Sequence, residues 1–315
     1  MNLRQLIEQY VAYRKGLGEL QGNNAATLRR FGCLIGADAD IGTVRVEQVD
    51  AFLAGTGPRT LNWHNKLSVL RPFYHYAISR GYATAAPLPT VIPKKPPPFV
   101  PYIYTQDDLR RLLDATSLLQ RRAFRIEPLT MRTAVLLLYA TGLRVSELIN
   151  LDRADVDLDS RVLTVRDTKF HKTRLVPFGP QLSPALTQYA KQSRAVSATH
   201  PGPPPFFTTR AGRRLERRTV EESFQRLREH AGVRRSDGAR YQPRLHDLRH
   251  SYAVHRLTQW YRQGADVQKL LPLLSVYLGH VYLQDTAVYL SMTPELLQEA
   301  NKRFESYLWE DDTHD

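Results

Sequence analysis

The sequence predicts a mainly α-helical chain in two parts, with one small antiparallel β-sheet in the second. Three observations carry that prediction. Apolar residues recur at helical spacing through much of the chain. Two short β-branched runs, 161–165 and 174–178, alternate around a polar turn and read as paired strands. The stretch from Pro87 to Pro101 is Pro-rich. Proline lacks an N–H and fixes φ, so this stretch reads as a stiff extended linker. A chain of 315 residues suits roughly two domains. They are expected at 1–86 and 104–315, with 87–103 between them.

The first part reads as short helices separated by Gly-containing turns. Leu3, Leu6, Ile7, Tyr10, Val11 and Tyr13 set one apolar face. Further helices are expected at 25–35, 46–53 and 60–79, the last with Leu61, Leu67, Leu70, Phe73, Tyr74 and Ala77 as its stripe. The second part opens with Thr105 as an N-cap and Asp107 and Asp108 in the first turn. A strongly apolar helix follows at 132–141 and another at 145–151. After the two strands, residues 206–210 read as a third. Helices return at 217–231, 245–261, 267–277 and 294–309. The last ends in an acidic tail, and Leu296, Leu297, Phe304, Tyr307 and Leu308 line one side of it.

Composition narrows the function. Lys+Arg is 44 against 31 Asp+Glu, a formal charge of +13, and Arg outnumbers Lys 35 to 9. Guanidinium forks grip phosphate oxygens in pairs, so a polyanionic partner is expected. Both parts are basic: 12 basic against 6 acidic residues through Ile103, and 32 against 25 after it. Arg29, Arg30, Lys66 and Arg71 in the first part are candidate DNA contacts, as are Lys172, Arg213, Arg214, Arg217 and Arg218 in the second. Twelve of the arginines fall within 210–249. Any one of these charges fits a solvated helix face equally well. The single cysteine, Cys33, excludes an internal disulfide framework, and no Cys/His zinc spacing exists. The N-terminal residues lack a signal peptide's apolar core, and no uncharged apolar run approaches the roughly 18 residues of a membrane span. A soluble, cytoplasmic protein with no membrane partner is expected.

Four segments carry chemistry together. In Thr141-Gly-Leu-Arg-Val-Ser-Glu, Gly142 permits a tight turn and Arg144 opens the next helix, where backbone N–H groups also attract anionic oxygen. Glu147 is placed to orient Arg144 or to cap that helix. In Thr168-Lys-Phe-His-Lys, Lys169 lies near a hairpin tip, a position from which it can donate a proton into a groove. In His246-Asp-Leu-Arg249-His, the i, i+3 pair shares one helical face and can hold one phosphate. In Tyr277-Leu-Gly-His280, a turn precedes a short helical stretch presenting Tyr289. Each segment alone fits a plain structural role as well.

As a set, "ATGLRVSELINL", "TKFHKTRLVPFG", "HDLRHSYAVH" and "YLGH…TAVYL" resemble the tyrosine recombinase (phage-integrase) family, of which Xer-type enzymes are simple members. The resemblance spans roughly 104–300 and implies a helical core-binding (SAM-like) domain followed by a catalytic domain, the two clasping a duplex. It implies that Arg144 and Arg249 bind the scissile phosphate, with His246 and His280 hydrogen-bonded to it. Lys169 would act as general acid, Lys172 being its minor rival, with Tyr289 as nucleophile and Glu147 in support. Neither metal nor cofactor is called for.

Partners implied are double-stranded DNA, further copies of the chain as a tetramer on synapsed DNA, and accessory or co-encoded recombinases. The terminal helix either docks on a neighbouring copy or packs on its own domain. No separate arm-binding domain is expected before Arg14. The stretch between Arg249 and His280 is longer than in simple members, around 258–262 and 269–275. Integration, excision or transposition of a mobile element is the expected role. Dimer resolution, a type IB topoisomerase and an inactive DNA-binding accessory protein stand as alternatives.

Overall fold

The computed structural model describes residues 1–18, 22–55, 61–96, 99–120, 124–166, 173–193, 203–239 and 241–310, with side chains described through residue 302. Contacts gather the chain into two compact units, one of residues 1–99 and one beginning at Val100. No helix among the described residues is long and apolar enough to cross a membrane.

The first unit is helical: α1 (Leu3–Gly16), α2 (Gly22–Ile35), α3 (Val46–Ala54) and α4 (Leu61–Ser79). Asn2 caps α1 by accepting the Gln5 N–H at 2.9 Å, which satisfies a donor the helix leaves unpaired. The expected stripe of Leu3, Leu6, Ile7, Tyr10 and Val11 is buried. It packs with Phe31, Phe52, Trp63, Phe73 and Tyr74 in one core, against which Leu88 also rests. Tyr13 is exposed, at the edge of the stripe.

The second unit begins with α5 (Gln106–Asp114), where Thr105 and Asp108 form a reciprocal cap as the Thr105 signal predicts. Then come α6 (Pro128–Thr141) and α7 (Val145–Asn150). Helix α6 is the core's axis: Met131, Ala134, Val135, Leu137 and Leu138 are buried. At roughly 1.5–3 kcal/mol for each large apolar side chain removed from water, such a helix is a strong anchor. Strands β1 (Val156–Asp157), β2 (Val162–Val165) and β3 (Arg174–Pro177) form an antiparallel sheet in chain order. Val165 pairs with Arg174 and Leu163 with Val176, which puts Leu163, Val165 and Val176 into the core.

Next are α8 (Ser183–Gln192), α9 (Arg217–His230), α10 (Asp247–Arg262) and α11 (Val267–Leu278). The chain closes with α12 (Gln284–Ala287), a 3-10 turn at Val288–Ser291 and α13 (Pro294–Glu310). Helix α10 packs against α6 and α13. The start of α13 therefore packs on its own domain: Leu296 is buried, and Arg262 lies 3.3 Å from Glu299. Leu297 is exposed. The stripe residues Phe304, Tyr307 and Leu308 lie beyond the described side chains.

One reading of the sequence needs correction. Residues 206–210 form no strand. Phe206 and Phe207 turn their rings onto Tyr189 in the core. The Thr209 N–H then bonds the Arg213 carbonyl at 2.8 Å, so the chain reverses before a ladder can extend. Only isolated bridges remain, Asp152 to Pro205 and Thr208 to Arg214. The sequence reading also passed over α8 and the two-residue β1. The stretches read as extra length, 258–262 and 269–275, are helical turns of α10 and α11.

Candidate active site

The site grows from one turn and one helix end. Helix α6 stops at Gly142, whose left-handed φ of 63° suits glycine. A Cβ there would lie 2.6 Å from the Tyr252 ring and 2.8 Å from Leu278. Helix α11 stops in the same way at Gly279, φ 70°. A Cβ on Gly279 would lie 2.7 Å from a terminal nitrogen of Arg174. Both glycines admit close approach that a side chain would block.

Three guanidinium groups meet three successive carbonyls at the end of α11. Arg174 donates from Nε to the Tyr277 oxygen at 3.0 Å, Arg249 to that of Leu278 at 2.7 Å, and Arg144 to that of Gly279 at 2.9 Å. A helix C-terminus carries partial negative charge, so cations are stabilised there. Arg249 makes a second bond, to the Gly142 carbonyl at 2.7 Å. Its side chain is buried, and among the described residues no carboxylate forms an ion pair with it. Burial, and then the Arg144 charge, push the Arg249 guanidinium down to about 10, which leaves it charged at neutral pH.

Glu147 organises the other two arginines. One oxygen accepts from a terminal nitrogen of Arg144 at 2.7 Å and one of Arg174 at 2.9 Å. The other accepts from the Arg144 backbone N–H at 2.9 Å and the second terminal nitrogen of Arg174 at 2.8 Å. Glu147 thus does both things its position allowed: it orients Arg144 and caps α7. Burial would raise its pKa, but the Arg174 and Arg144 bonds outweigh burial and bring it to about 2.

Four rings lie in series beside the arginines. His246 and His250 have centroids 5.1 Å apart, His250 and Tyr289 5.6 Å, and Tyr289 and His280 6.2 Å. His280 Nδ1 and the Thr286 hydroxyl are 2.7 Å apart, which fixes that imidazole on α12. Burial, reinforced by nearby positive charge, takes His246 and His250 down to about 4 and His280 to about 3. All three are neutral at pH 7. Burial raises the Tyr289 phenol, while the charge and hydrogen bond of Arg249, followed by Arg144, pull it back.

Arg144, Glu147, His246, Arg249, His280 and Tyr289 are thus brought together. Lys169 and Lys172 lie outside the described residues. The candidate contacts elsewhere divide by what holds them. Lys66 is turned inward: its ammonium donates to the Phe52 carbonyl at 2.6 Å and sits 4.7 Å from the ring centre. Arg214 bonds the Ile149 carbonyl and the Asp152 carboxylate. Arg29 pairs with Glu8, Arg217 with Glu221 and Arg218 with Glu222, all at the surface. Arg30 donates to the Ala26 carbonyl, and Arg71 and Arg213 are exposed. Sequence reasoning missed Arg174, His250 and Thr286. Of these only His250 carried a signal, its i, i+4 spacing from His246.

Such a site can hold an anionic tetrahedral centre between two guanidinium groups and place a phenol against it. The sequence profile of the phage integrase family matches residues 103–295. The integrase/recombinase-type protein y4rB of Sinorhizobium fredii is 36% identical over 98% of this chain and 99% of its own. A tyrosine recombinase XerD of Bifidobacterium longum is 31% identical over 81% of this chain and 79% of its own. Among solved structures, the integrase of transposon Tn1549 with a circular intermediate DNA matches at a TM-score of 0.68 and 18% identity, over 96% of this chain and 99% of that one. A lambda integrase dimer bound to a core site matches at 0.63 and 19%, over 90% and 96%. At those identities the structural likeness is one of fold: a mainly helical two-domain integrase with a small sheet.

Proposed function

This chain belongs to the phage integrase family of tyrosine recombinases, site-specific enzymes of DNA strand breakage and rejoining, and from that premise we propose that it works through a 3′-phosphotyrosine formed by Tyr289. The observation that carries the reading is Arg249: a buried guanidinium whose described partners are carbonyl oxygens and the Tyr289 phenol, with no carboxylate. A buried charge without a counter-ion is costly, and a phosphodiester supplies the missing charge.

In this reading Arg249 and Arg144 take the two non-bridging oxygens of the scissile phosphate. A phosphodiester resists attack because its negative charge repels nucleophiles. A well-placed donor for the developing charge is worth on the order of 10²–10³ in rate. Tyr289 Oη bonds phosphorus as the bond from phosphorus to the 5′ oxygen breaks. The phenol proton passes to the neutral His250 imidazole beside it. An arriving phosphate favours its charged form and makes it a better acceptor. Lys169 donates a proton to the 5′ oxygen, a contribution of typically 10²–10⁴. One phosphoester replaces another, so the reverse attack by a 5′-hydroxyl of a second strand reseals DNA without an energy source. His246 and His280 hold the phosphate as neutral hydrogen-bond donors.

Duplex DNA is the proposed substrate, with exposed Arg71 and Arg213 and the surface pairs of Arg29, Arg217 and Arg218 on its phosphates. The proposed assembly on synapsed DNA is a tetramer; a lambda integrase structure is described as a tetramer on a Holliday junction. Movement of a mobile element is the proposed role, favoured by the likeness to y4rB and to the Tn1549 transposon integrase. The likeness to XerD keeps dimer resolution as the second reading. The test uses supercoiled plasmids carrying DNA from either side of the gene, incubated with the protein and sequenced across new junctions. Junctions joining the two flanks at one short sequence support the proposal. Relaxation of every plasmid, with no junctions, would replace it with topoisomerase activity.

A further inference from the structure

We propose that Arg174 is a positioning residue for strand cleavage, holding Glu147 and, through it, the phosphate-binding face of Arg144. The inference rests on the role given above to Arg144 and Tyr289, and concerns a residue on β3 that touches neither. Its Nε holds the Tyr277 carbonyl, and its two terminal nitrogens hold the two oxygens of Glu147. The side chain is 11% exposed, against 34% for Arg144. With its fork and Nε engaged inside the protein, Arg174 is a fixture, whereas Arg144 faces outward.

Two physical consequences follow. The first concerns charge. Glu147 lies between two guanidinium groups and so cannot neutralise both. Without Arg174 the carboxylate would belong to Arg144 alone, and the positive potential offered to an anion would fall. The second concerns geometry. Tyr277, at the other end of the Arg174 fork, precedes Gly279, whose carbonyl holds Arg144, and His280, whose ring stacks on Tyr289. One side chain therefore sets β3, the Arg144 loop and the end of α11 in register. Lysine cannot substitute: it offers one compact charge where three directed donors are used. A displacement of about 1 Å at a reacting centre costs about 100-fold in rate.

The test compares wild type, Arg174→Lys, Arg174→Ala, Glu147→Gln and the Glu147→Gln/Arg174→Lys double variant. The probe is sheared genomic DNA of the organism that carries the gene. DNA retention reports binding, SDS-resistant adduct at excess protein reports the cleavage step, and thermal unfolding reports the fold. Arg174→Lys keeps a cation beside Glu147 and so guards against loss of the fold. It is expected to retain DNA like wild type and to form adduct about 10-fold more slowly. Arg174→Ala is expected to be slower by about 100-fold and to recover part of that rate with added methylguanidinium. The double variant is expected to be slower than Glu147→Gln by less than the roughly 10-fold that Arg174→Lys costs on its own, because most of the effect of Arg174 passes through that carboxylate and the remainder through the Tyr277 carbonyl. Adduct formation at the wild-type rate in Arg174→Lys and Arg174→Ala would overturn the proposal. So would slowing that matches the loss of folded protein and resists methylguanidinium. Absence of adduct from wild type itself would instead overturn the assignment of Tyr289, and with it this inference.

Discussion

Arg249 on α10 donates a 2.7 Å hydrogen bond to the carbonyl of Gly142, 107 residues earlier in the chain. The bond ties a buried cation to the turn that ends α6, and the turn exists because glycine accepts φ of 63°. Gly142→Ala should therefore do two things. The left-handed conformation and the 2.6 Å approach to Tyr252 should cost about 2 kcal/mol of stability. Displacing the carbonyl should also loosen Arg249 and slow adduct formation by more than the loss of folded protein. Urea unfolding alongside single-turnover cleavage checks both.

Glu147 carries the most perturbed carboxylate of the site. Its folded pKa of about 2 lies below the ordinary 4.5. The stability it contributes is therefore present above pH 4.5 and is lost as pH falls from 4.5 toward 2. A shift of that size corresponds to on the order of 3 kcal/mol. Glu147→Gln should destabilise the protein by about 3 kcal/mol at pH 7, because it strands two guanidinium groups. The gap to wild type should narrow as pH falls through that window. A gap that is constant with pH would contradict the assignment.

The imidazoles act in a window that opens higher, at pH 6.5, and overlaps that of Glu147 below pH 4.5. His246, His250 and His280 all have folded pKa values below the ordinary 6.5, at about 4, 4 and 3. The unfolded chain thus binds more protons than the folded one between those values. Stability from keeping them neutral is full above pH 6.5 and falls as pH drops toward 4. Urea midpoints between pH 4 and 8 should follow that curve, and proton NMR of the ring signals should show no titration near 6.5.

The basic residues should separate into two groups by salt dependence. Arg213→Ala, at an exposed position, should weaken DNA binding uniformly and reduce the slope of log affinity against log salt by about 1. Arg214→Ala should leave that slope unchanged and cost about 1–2 kcal/mol of stability, because its guanidinium serves Ile149 and Asp152. Lys66→Ala should behave as Arg214→Ala does.

What was legible in the sequence was local. Thr105 and Asp108 announce their cap within four residues, and the stripe from Leu3 to Val11 announces a buried face. Gly142 and Arg144 announce a turn and a helix start, because glycine and its neighbours act through their own backbone. Arg174 was illegible because its partners, Glu147 and Tyr277, lie 27 residues before it and 103 after it. A lone Arg at a strand start reads as a surface charge. The supposed strand at 206–210 failed for the opposite reason: two aromatic residues suggest β structure wherever they stand, yet here they fill the core beside Tyr189. Helix α8 was missed because its apolar face is only Leu186, Tyr189 and Ala190.

The most direct measurement is capture of the covalent intermediate. Wild type and Tyr289→Phe are incubated with DNA fragments from around the gene and denatured in SDS. The adduct is then digested and its peptide identified by mass spectrometry. The account predicts a wild-type adduct joining Tyr289 to a 3′-phosphate, and no adduct from Tyr289→Phe while salt-sensitive DNA binding persists. An adduct that survives in Tyr289→Phe, or one mapped to another side chain, would contradict it.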